Sequence, residues 1–297
     1  MKDRKMFKIS VALCTYNGSE YLDRQLNSIL KQTFQPDEII IVDDCSTDDT
    51  RDIIAKYERK YSIVKSVFND YNIGSNLSFR KAISYTSNNF IALCDQDDIW
   101  YDNKLEVQIT SVMKLDDPFS KPLVAYHDLQ LIDTVNQVIH NSFWQLHQFN
   151  AAKFSYQDLF LYNIVTGCTC LINRRMKTEL LKSNMTNIIM HDYLIALIAY
   201  SFGTVIYHDQ PLMYYRSHSS SVTYKEKINF RERVQSFAAR LKEKTYLLPN
   251  ILQIKEFIII YKNYIPEKKS DISVQFITLE KKSVIRRIIY KWLRLHI

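Results

Sequence analysis

The sequence predicts an α/β fold, a mostly parallel sheet flanked by helices, with a helical C-terminal extension. Three observations carry that expectation. Short apolar, β-branched runs alternate with amphipathic segments through four cycles ending near Cys94, the pattern of parallel strands joined by crossover helices. Three of those runs end in clusters of polar and acidic residues, and ligands of such sheets bind beyond the carboxyl ends of the strands. From Lys225 onward the pattern turns helical and increasingly basic.

The elements follow in order. Phe7 to Cys14 reads as a strand closed by the turn residues Thr15-Tyr-Asn-Gly18. Ser19 is placed to cap a helix through Tyr21, Leu22, Leu26, Ile29 and Leu30. Glu38 to Val42 is a second strand, ending in Asp43-Asp44, and Ser46 or Thr47 would cap the helix carrying Ile53, Ile54 and Tyr57. Ile63 to Phe68 is a third strand, and Asn72-Ile-Gly74 turns into a helix from Asn76 to Thr86. Phe90 to Cys94 is the fourth, ending in Asp95, Asp97 and Asp98. A helix is expected over Asp102–Lys114, a strand from Leu123 extended to Asp133, and a poorly periodic connector over 135–150. Tyr156–Tyr162 reads as helix, Val165–Ile172 as strand, and Met190-His-Asp-Tyr193 as the opening of another helix. Thr204–His208 and Leu212–Arg216 read as two short strands. Pro249 and Pro266 are expected to interrupt the helical extension.

Composition narrows the function. With 297 residues the chain holds one large domain, or one domain with an appendage. Four glycines leave neither a G-x-G-x-x-G nor a P-loop, which argues against dinucleotide-binding dehydrogenases and P-loop kinases. The net charge is +7, and residues 281–297 carry Lys281, Lys282, Arg286, Arg287, Lys291 and Arg294 with no acid. The rest of the chain is near neutral, so no nucleic-acid partner is expected. The five cysteines read as reduced thiols of a cytoplasmic protein, in the absence of a signal-peptide pattern or a membrane-spanning run.

Three carboxylates within Asp95–Asp98 repel one another, and a divalent cation would hold them together. The turns after strands one, two and four should meet in one crevice. Five pieces, Val11-Ala-Leu-Cys-Thr-Tyr-Asn-Gly18, Ile41-Val-Asp-Asp-Cys-Ser-Thr-Asp-Asp-Thr50, Cys94-Asp-Gln-Asp-Asp-Ile-Trp100, Met190-His-Asp-Tyr193 and Tyr215-Arg-Ser-His218, in this order resemble the family 2 glycosyltransferases. The likeness covers residues 7–220, and the Asp95–Trp100 form resembles a bacterial rhamnosyltransferase branch. It implies a GT-A-like fold with a Rossmann-like sheet over residues 1–222 and a helical extension over 223–297. It implies transfer, with inversion, of a sugar from a nucleotide-diphosphate donor to a glycan or lipid-linked acceptor in surface polysaccharide assembly.

The resemblance also implies roles. Thr15, Tyr16, Asn17, Asp44 and Asp95 would hold a UDP- or dTDP-linked donor, Asp44 accepting the base's ring N–H. Asp97, with Asp95 and His218, would bind Mn²⁺ or Mg²⁺. Asp98, Arg216, His191 and Gly167 would support the metal or donor sugar, Gly167 being equally a core bulge. Gln96 would point away from the site. Asp192 would be the catalytic base, at a helix N-terminus that favours its charged form. Trp100 and Trp144 could stack on sugar rings, with core packing the better fit for Trp100. A nucleotidyltransferase would need a basic loop where Thr15–Gly18 has none. A non-catalytic nucleotide-sugar-binding subunit would not need Asp192. On a helical wheel of Lys281–Ile297, Val284, Ile285, Ile288, Ile289, Trp292 and Leu293 oppose Arg286, Arg287, Tyr290, Lys291 and Arg294, a pattern suited either to a membrane surface or to docking on the protein.

Overall fold

The computed structural model describes residues 4–217 and 245–295; His218 lies outside them. β1 (Ile9–Thr15), α1 (Leu22–Leu30), β2 (Glu38–Asp43), α2 (Thr50–Lys60), β3 (Val64–Phe68), α3 (Ser75–Tyr85) and β4 (Phe90–Cys94) are the four expected cycles. β1 pairs in parallel with β2 and β4, and β2 with β3. β1, β2 and β4 are apolar almost throughout because helices cover both faces of the sheet. The register sets Thr15 beside Asp43 and Leu13 beside Cys94, so the turns after these three strands leave the sheet side by side.

The second half comprises β5 (Ile99–Trp100), α4 (Lys104–Met113), β6 (Leu123–Ile132), β7 (Val138–His140), α5 (Phe143–His147), β8 (Leu171–Asn173), α6 (Arg174–Lys182), α7 (His191–Phe202) and β9 (Thr204–Arg216). Among the described residues one sheet runs β3-β2-β1-β4-β8-β6-β9-β5, with β7 alongside β6. β8 is antiparallel to both β4 and β6, while β6 and β9 are parallel. The sheet is therefore mixed beyond β4.

Several local expectations change. Val165–Ile172 is not one strand: the amides of Thr169 and Cys170 fold back on the carbonyls of Thr166 and Gly167, at 3.0 and 2.9 Å, making a 3-10 turn before β8. Thr204–Arg216 is a single strand, kinked by register shifts opposite Asp128 where Pro211 donates no ladder bond. Residues 156–162 form only one 3-10 turn, Asp158–Phe160. α6 had no counterpart in the sequence reading, although Asn173 caps it by accepting from the Met176 amide at 2.8 Å. Ser19 caps nothing: its amide donates to Asp48 at 3.0 Å. Ser46 binds Asp43 and the Asn17 amide instead of opening α2.

α8 (Leu248–Ile260), α9 (Glu267–Ile277) and α10 (Val284–Leu295) form the extension. Pro249 lies in the first turn of α8 and Pro266 caps α9, so both start helices rather than interrupt them. Ile251, Ile254, Phe257 and Phe276 are buried in the same core as the sheet. Phe276 stacks on Phe160 at 4.8 Å, and Glu256 accepts the Thr186 and Asn187 amides at 2.8 and 2.7 Å. Among the described residues no helix is long and apolar enough to cross a membrane.

Candidate active site

A cleft of about 370 Å³ opens over the carboxyl ends of β1, β2 and β4. Thr15, Tyr16, Asp44, Asp95, Gln96, Asp97, Thr166, Gly167, His191 and Asp192 line it. Residues almost 180 positions apart in the chain thus share one cavity.

Its floor is set by Gln96. The side-chain oxygen accepts from the Thr15 hydroxyl and the Tyr16 amide, both at 2.8 Å, and the side-chain nitrogen donates to the Tyr16 carbonyl at 3.1 Å. Gln96 therefore faces the site, contrary to the expectation from an extended chain, because the strand ends at Cys94 and the chain turns. A Cβ on Gly18 would lie 2.2 Å from that same oxygen, so a larger residue there would push the Gln96 side chain off these bonds. Asp44 is buried and accepts from Asn69 (2.9 Å), the Ile73 amide (2.8 Å) and the Gly74 amide (2.8 Å). It shapes the Asn72–Gly74 wall as well as lining the cleft. Asn17 does not line the cleft: in a left-handed conformation (φ 49°), it accepts from the Thr47 amide at 2.8 Å and ties the first two turns together. Asp43 lies beneath the wall, held by Ser46 and by Arg51 at 2.9 Å.

The acidic stretch divides. Asp95, Asp98 and Cys168 bring ligand atoms within 4.8 Å of one another, whereas Asp97 lines the cleft outside that trio. Burial, with Asp97 and then Asp192 nearby, pushes the Asp95 carboxyl up. Asp98 is pushed well above the carboxylate range by burial and by Asp97 and Asp95. One Asp98 oxygen accepts the Arg216 amide at 3.2 Å; the other is buried with no hydrogen-bond partner. Burial keeps the Cys168 thiol protonated, its pKa well above the ordinary value. The donors present are thus hard carboxylate oxygens around an orphaned one, which fits Mn²⁺ or Mg²⁺ better than a thiolate-seeking metal.

Two cations organise this cluster from behind. Lys104 is fully buried, 3.5 Å over the Trp100 ring, and donates to the Cys168 carbonyl at 2.6 Å. Burial lowers its pKa to about 8, so it is mostly charged at pH 7. Opening α4 toward the core, it faces Asp98 rather than solvent, which sequence periodicity does not reveal. Lys104→Met is expected to lower stability by about 3 kcal/mol, since it removes a buried cation next to buried acids; an unchanged urea midpoint would remove Lys104 from this role. Arg216 is buried and grips carbonyls of Asp97 (2.8 Å), Asp133 (2.9 Å) and Thr134 (3.3 Å), with its ring contact on Tyr21 at 4.4 Å. It positions the Asp97 backbone and is not among the cleft residues, so a donor-sugar contact is not where the structure places it.

Asp192 sits in the first turn of α7, facing the 3-10 turn. One oxygen accepts the Gly167 amide at 3.0 Å, and the other accepts from Asn163 at 3.3 Å. Burial outweighs these bonds and the helix N-terminus, raising the carboxyl to about 6. His191 stacks on Phe79 at 4.1 Å, and neither ring nitrogen has a hydrogen-bond partner. Burial lowers it to about 4, so it is neutral at pH 7. A Cβ on Gly167 would meet its Nε2 at 2.7 Å. Gly167 therefore lets its amide reach Asp192 beside the imidazole, in a turn rather than a strand bulge. Phe79 and Lys104 were missed because no motif marks them; each arrives by folding.

Residues 10–177 match the family model "Glycosyl transferase family 2". TuaG of Bacillus subtilis, a glycosyltransferase assigned to teichuronic acid biosynthesis, is 37% identical over 179 residues, 60% of this chain and 66% of TuaG. The Escherichia coli UDP-Glc:alpha-D-GlcNAc-diphosphoundecaprenol beta-1,3-glucosyltransferase WfgD is 35% identical over 108 residues, 36% of this chain and 42% of WfgD. The chain thus spans less than two thirds of these relatives. The mannosyltransferase PcManGT of Pyrobaculum calidifontis, solved with GDP-Man and Mn²⁺, superposes with a TM-score of 0.56 at 16% identity, over 93% of this chain and 70% of that one. That likeness is one of fold.

Proposed function

The chain belongs to glycosyl transferase family 2, and from that membership we propose that it transfers a hexose, with inversion, from a UDP- or dTDP-linked donor to a glycan or lipid-linked acceptor in cytoplasmic surface-polysaccharide assembly. The observation that carries this is the meeting, in one cleft, of Asp192 with Asp95, Asp97 and the Thr15–Tyr16 turn. WfgD, named for a diphosphoundecaprenol-linked sugar acceptor, supports the lipid-linked class. Rhamnose is what the Asp95–Trp100 resemblance implies. The division at residue 222 into a catalytic domain and an extension belongs to the same proposal.

In this reading the base lies against Tyr16 and the wall that Asp44 organises. Asp95 and Asp97 would hold a divalent cation, which neutralises charge on the departing diphosphate. His218, the third ligand proposed, lies outside the described residues. Asp192 takes the proton of the acceptor hydroxyl as its oxygen attacks the anomeric carbon from the face opposite the diphosphate. The new glycosidic bond forms as the carbon–oxygen bond to the nucleoside diphosphate breaks. The Gly167 amide orients the carboxylate, and its burial makes it a stronger base than a solvated aspartate.

A base must be unprotonated, so kcat/KM is expected to fall about tenfold per pH unit below a pKa of about 6 and to level off above it. A flat profile between pH 5 and 8 would contradict the role. The identifying experiment is a screen of UDP- and dTDP-sugars with Mn²⁺ for release of nucleoside diphosphate dependent on a glycan or prenyl-diphosphate acceptor. Release with none of them would overturn the reading.

A further inference from the structure

We propose that the outer stripe of α10 is a docking surface for an anionic lipid bilayer. The wheel of residues 281–297 left two fates open, and the placement of the helix separates them. Were α10 an ordinary docked helix, its apolar half would face the core. Instead Arg287 and Tyr290, two residues of its polar half, pack inward. Arg287 is buried and donates to the carbonyls of Leu279 (2.9 Å), Tyr246 (3.2 Å) and Glu280 (2.6 Å). Tyr290, one turn on, packs against Phe276 at 5.6 Å. The basic residue that should have faced water is thus the anchor.

With about 100° per residue, Ile285 and Ile289 stand about 160° from Arg287, on opposite sides of the antipode of the docked face. They are 58% and 49% exposed. Single exposed apolar residues need no explanation. Here two share one stripe of a helix that turned its arginine inward to present them. Lys281, Lys282 and Arg286 are exposed beside them. The nearest acid, Glu280, is paired with Lys255 at 2.8 Å. No acid occurs from 281 to the end of the sequence. Apolar side chains ringed by unopposed cations match the acyl boundary and headgroups of an anionic membrane. A protein partner would require acidic complementarity that only a specific surface supplies, and a second copy of this basic stripe would repel it. The inference rests on the glycosyltransferase reading only for its purpose, bringing the cleft to a lipid-linked acceptor.

The test is flotation of the full chain with phosphatidylcholine vesicles, with and without phosphatidylglycerol. Binding is expected with the anionic vesicles, weakened by salt. Ile285→Glu/Ile289→Glu is expected to lower the partition at least tenfold, about what losing two interfacial isoleucines implies, while leaving transfer to a soluble acceptor unchanged. Lys281→Glu/Lys282→Glu, outside the helix, should weaken binding to the anionic vesicles alone. Failure of the wild-type chain to float, or flotation of both double variants equal to that of the wild type, would overturn the proposal. So would self-association that the isoleucine changes abolish without any vesicle binding. Loss of transfer to the soluble acceptor in every form would instead count against the proposed activity.

Discussion

Asp192→Asn is expected to lower glycosyl transfer about a thousandfold, the scale of a lost general base, and at the same time to stabilise the protein at pH 8. The two effects share one cause. Asp192 is half-buried, and desolvation pushes its carboxyl up from the ordinary 3.8 to about 6. A raised folded pKa means that the fold favours the protonated form. That contribution is fully present below about pH 4 and is lost as pH rises through 6, leaving on the order of 3 kcal/mol of strain at neutral pH. Asparagine carries no charge to desolvate and can still accept the Gly167 amide. It cannot accept from Asn163 as well with the same amide orientation, which offsets part of the gain. The net expectation is about 1–2 kcal/mol of added stability at pH 8, shrinking at pH 5 where the wild-type acid is largely protonated. Denaturant unfolding at the two pH values reads the gap, and product formation reads the loss. Full transfer by the variant would sink the base assignment; a gap independent of pH would sink the burial argument.

Nucleotide affinity should survive this change, because Tyr16 and the wall that Asp44 organises, not Asp192, are proposed to hold the base. Retained UDP or dTDP binding with lost transfer would also separate an enzyme from a subunit that only holds the nucleotide sugar.

The parallel half of the fold was legible because its signal is local. β1, β2 and β4 are unbroken apolar runs, and the turn after each is marked by polar residues. The cleft's lining was legible where a short motif supplies it, as at Asp95 and Asp97 and at His191–Asp192. What escaped depends on distant contacts. Gln96 turns inward because three hydrogen-bonding groups of Thr15 and Tyr16 wait for it. Lys104 reads as a surface helix residue until Asp98 and the Cys168 carbonyl are placed beside it. Arg216 and Arg287 look like partners for charged ligands, and both are instead consumed in gripping backbone carbonyls. A long guanidinium satisfies several carbonyls at once, a use that leaves no periodic trace. β8 and the Gly167 turn failed for a related reason: β-branched residues there support a strand locally, but the demand of Asp192 for an amide bends the chain.

Chelation is expected to lower transfer at least about a hundredfold, with recovery on adding Mn²⁺ or Mg²⁺, because a cation at a departing diphosphate contributes several kcal/mol. The division within the acidic stretch sharpens that expectation. Asp95 gathers with Asp98 and Cys168, while Asp97 opens onto the cleft, its backbone held by Arg216. If Asp95 and Asp97 hold the ion, Asp95→Asn and Asp97→Ala should each abolish the metal-stimulated part of nucleotide binding in calorimetry. Asp98→Asn should preserve it, since one Asp98 oxygen already accepts the Arg216 amide and Asp98 lies behind the cleft rather than lining it. Metal stimulation that survives Asp97→Ala but not Asp98→Asn would move the ion inward, to the buried trio. The crowding of three acids is what makes the outcome informative: each sits in a different balance of burial and hydrogen bonding, so their losses cannot be equivalent.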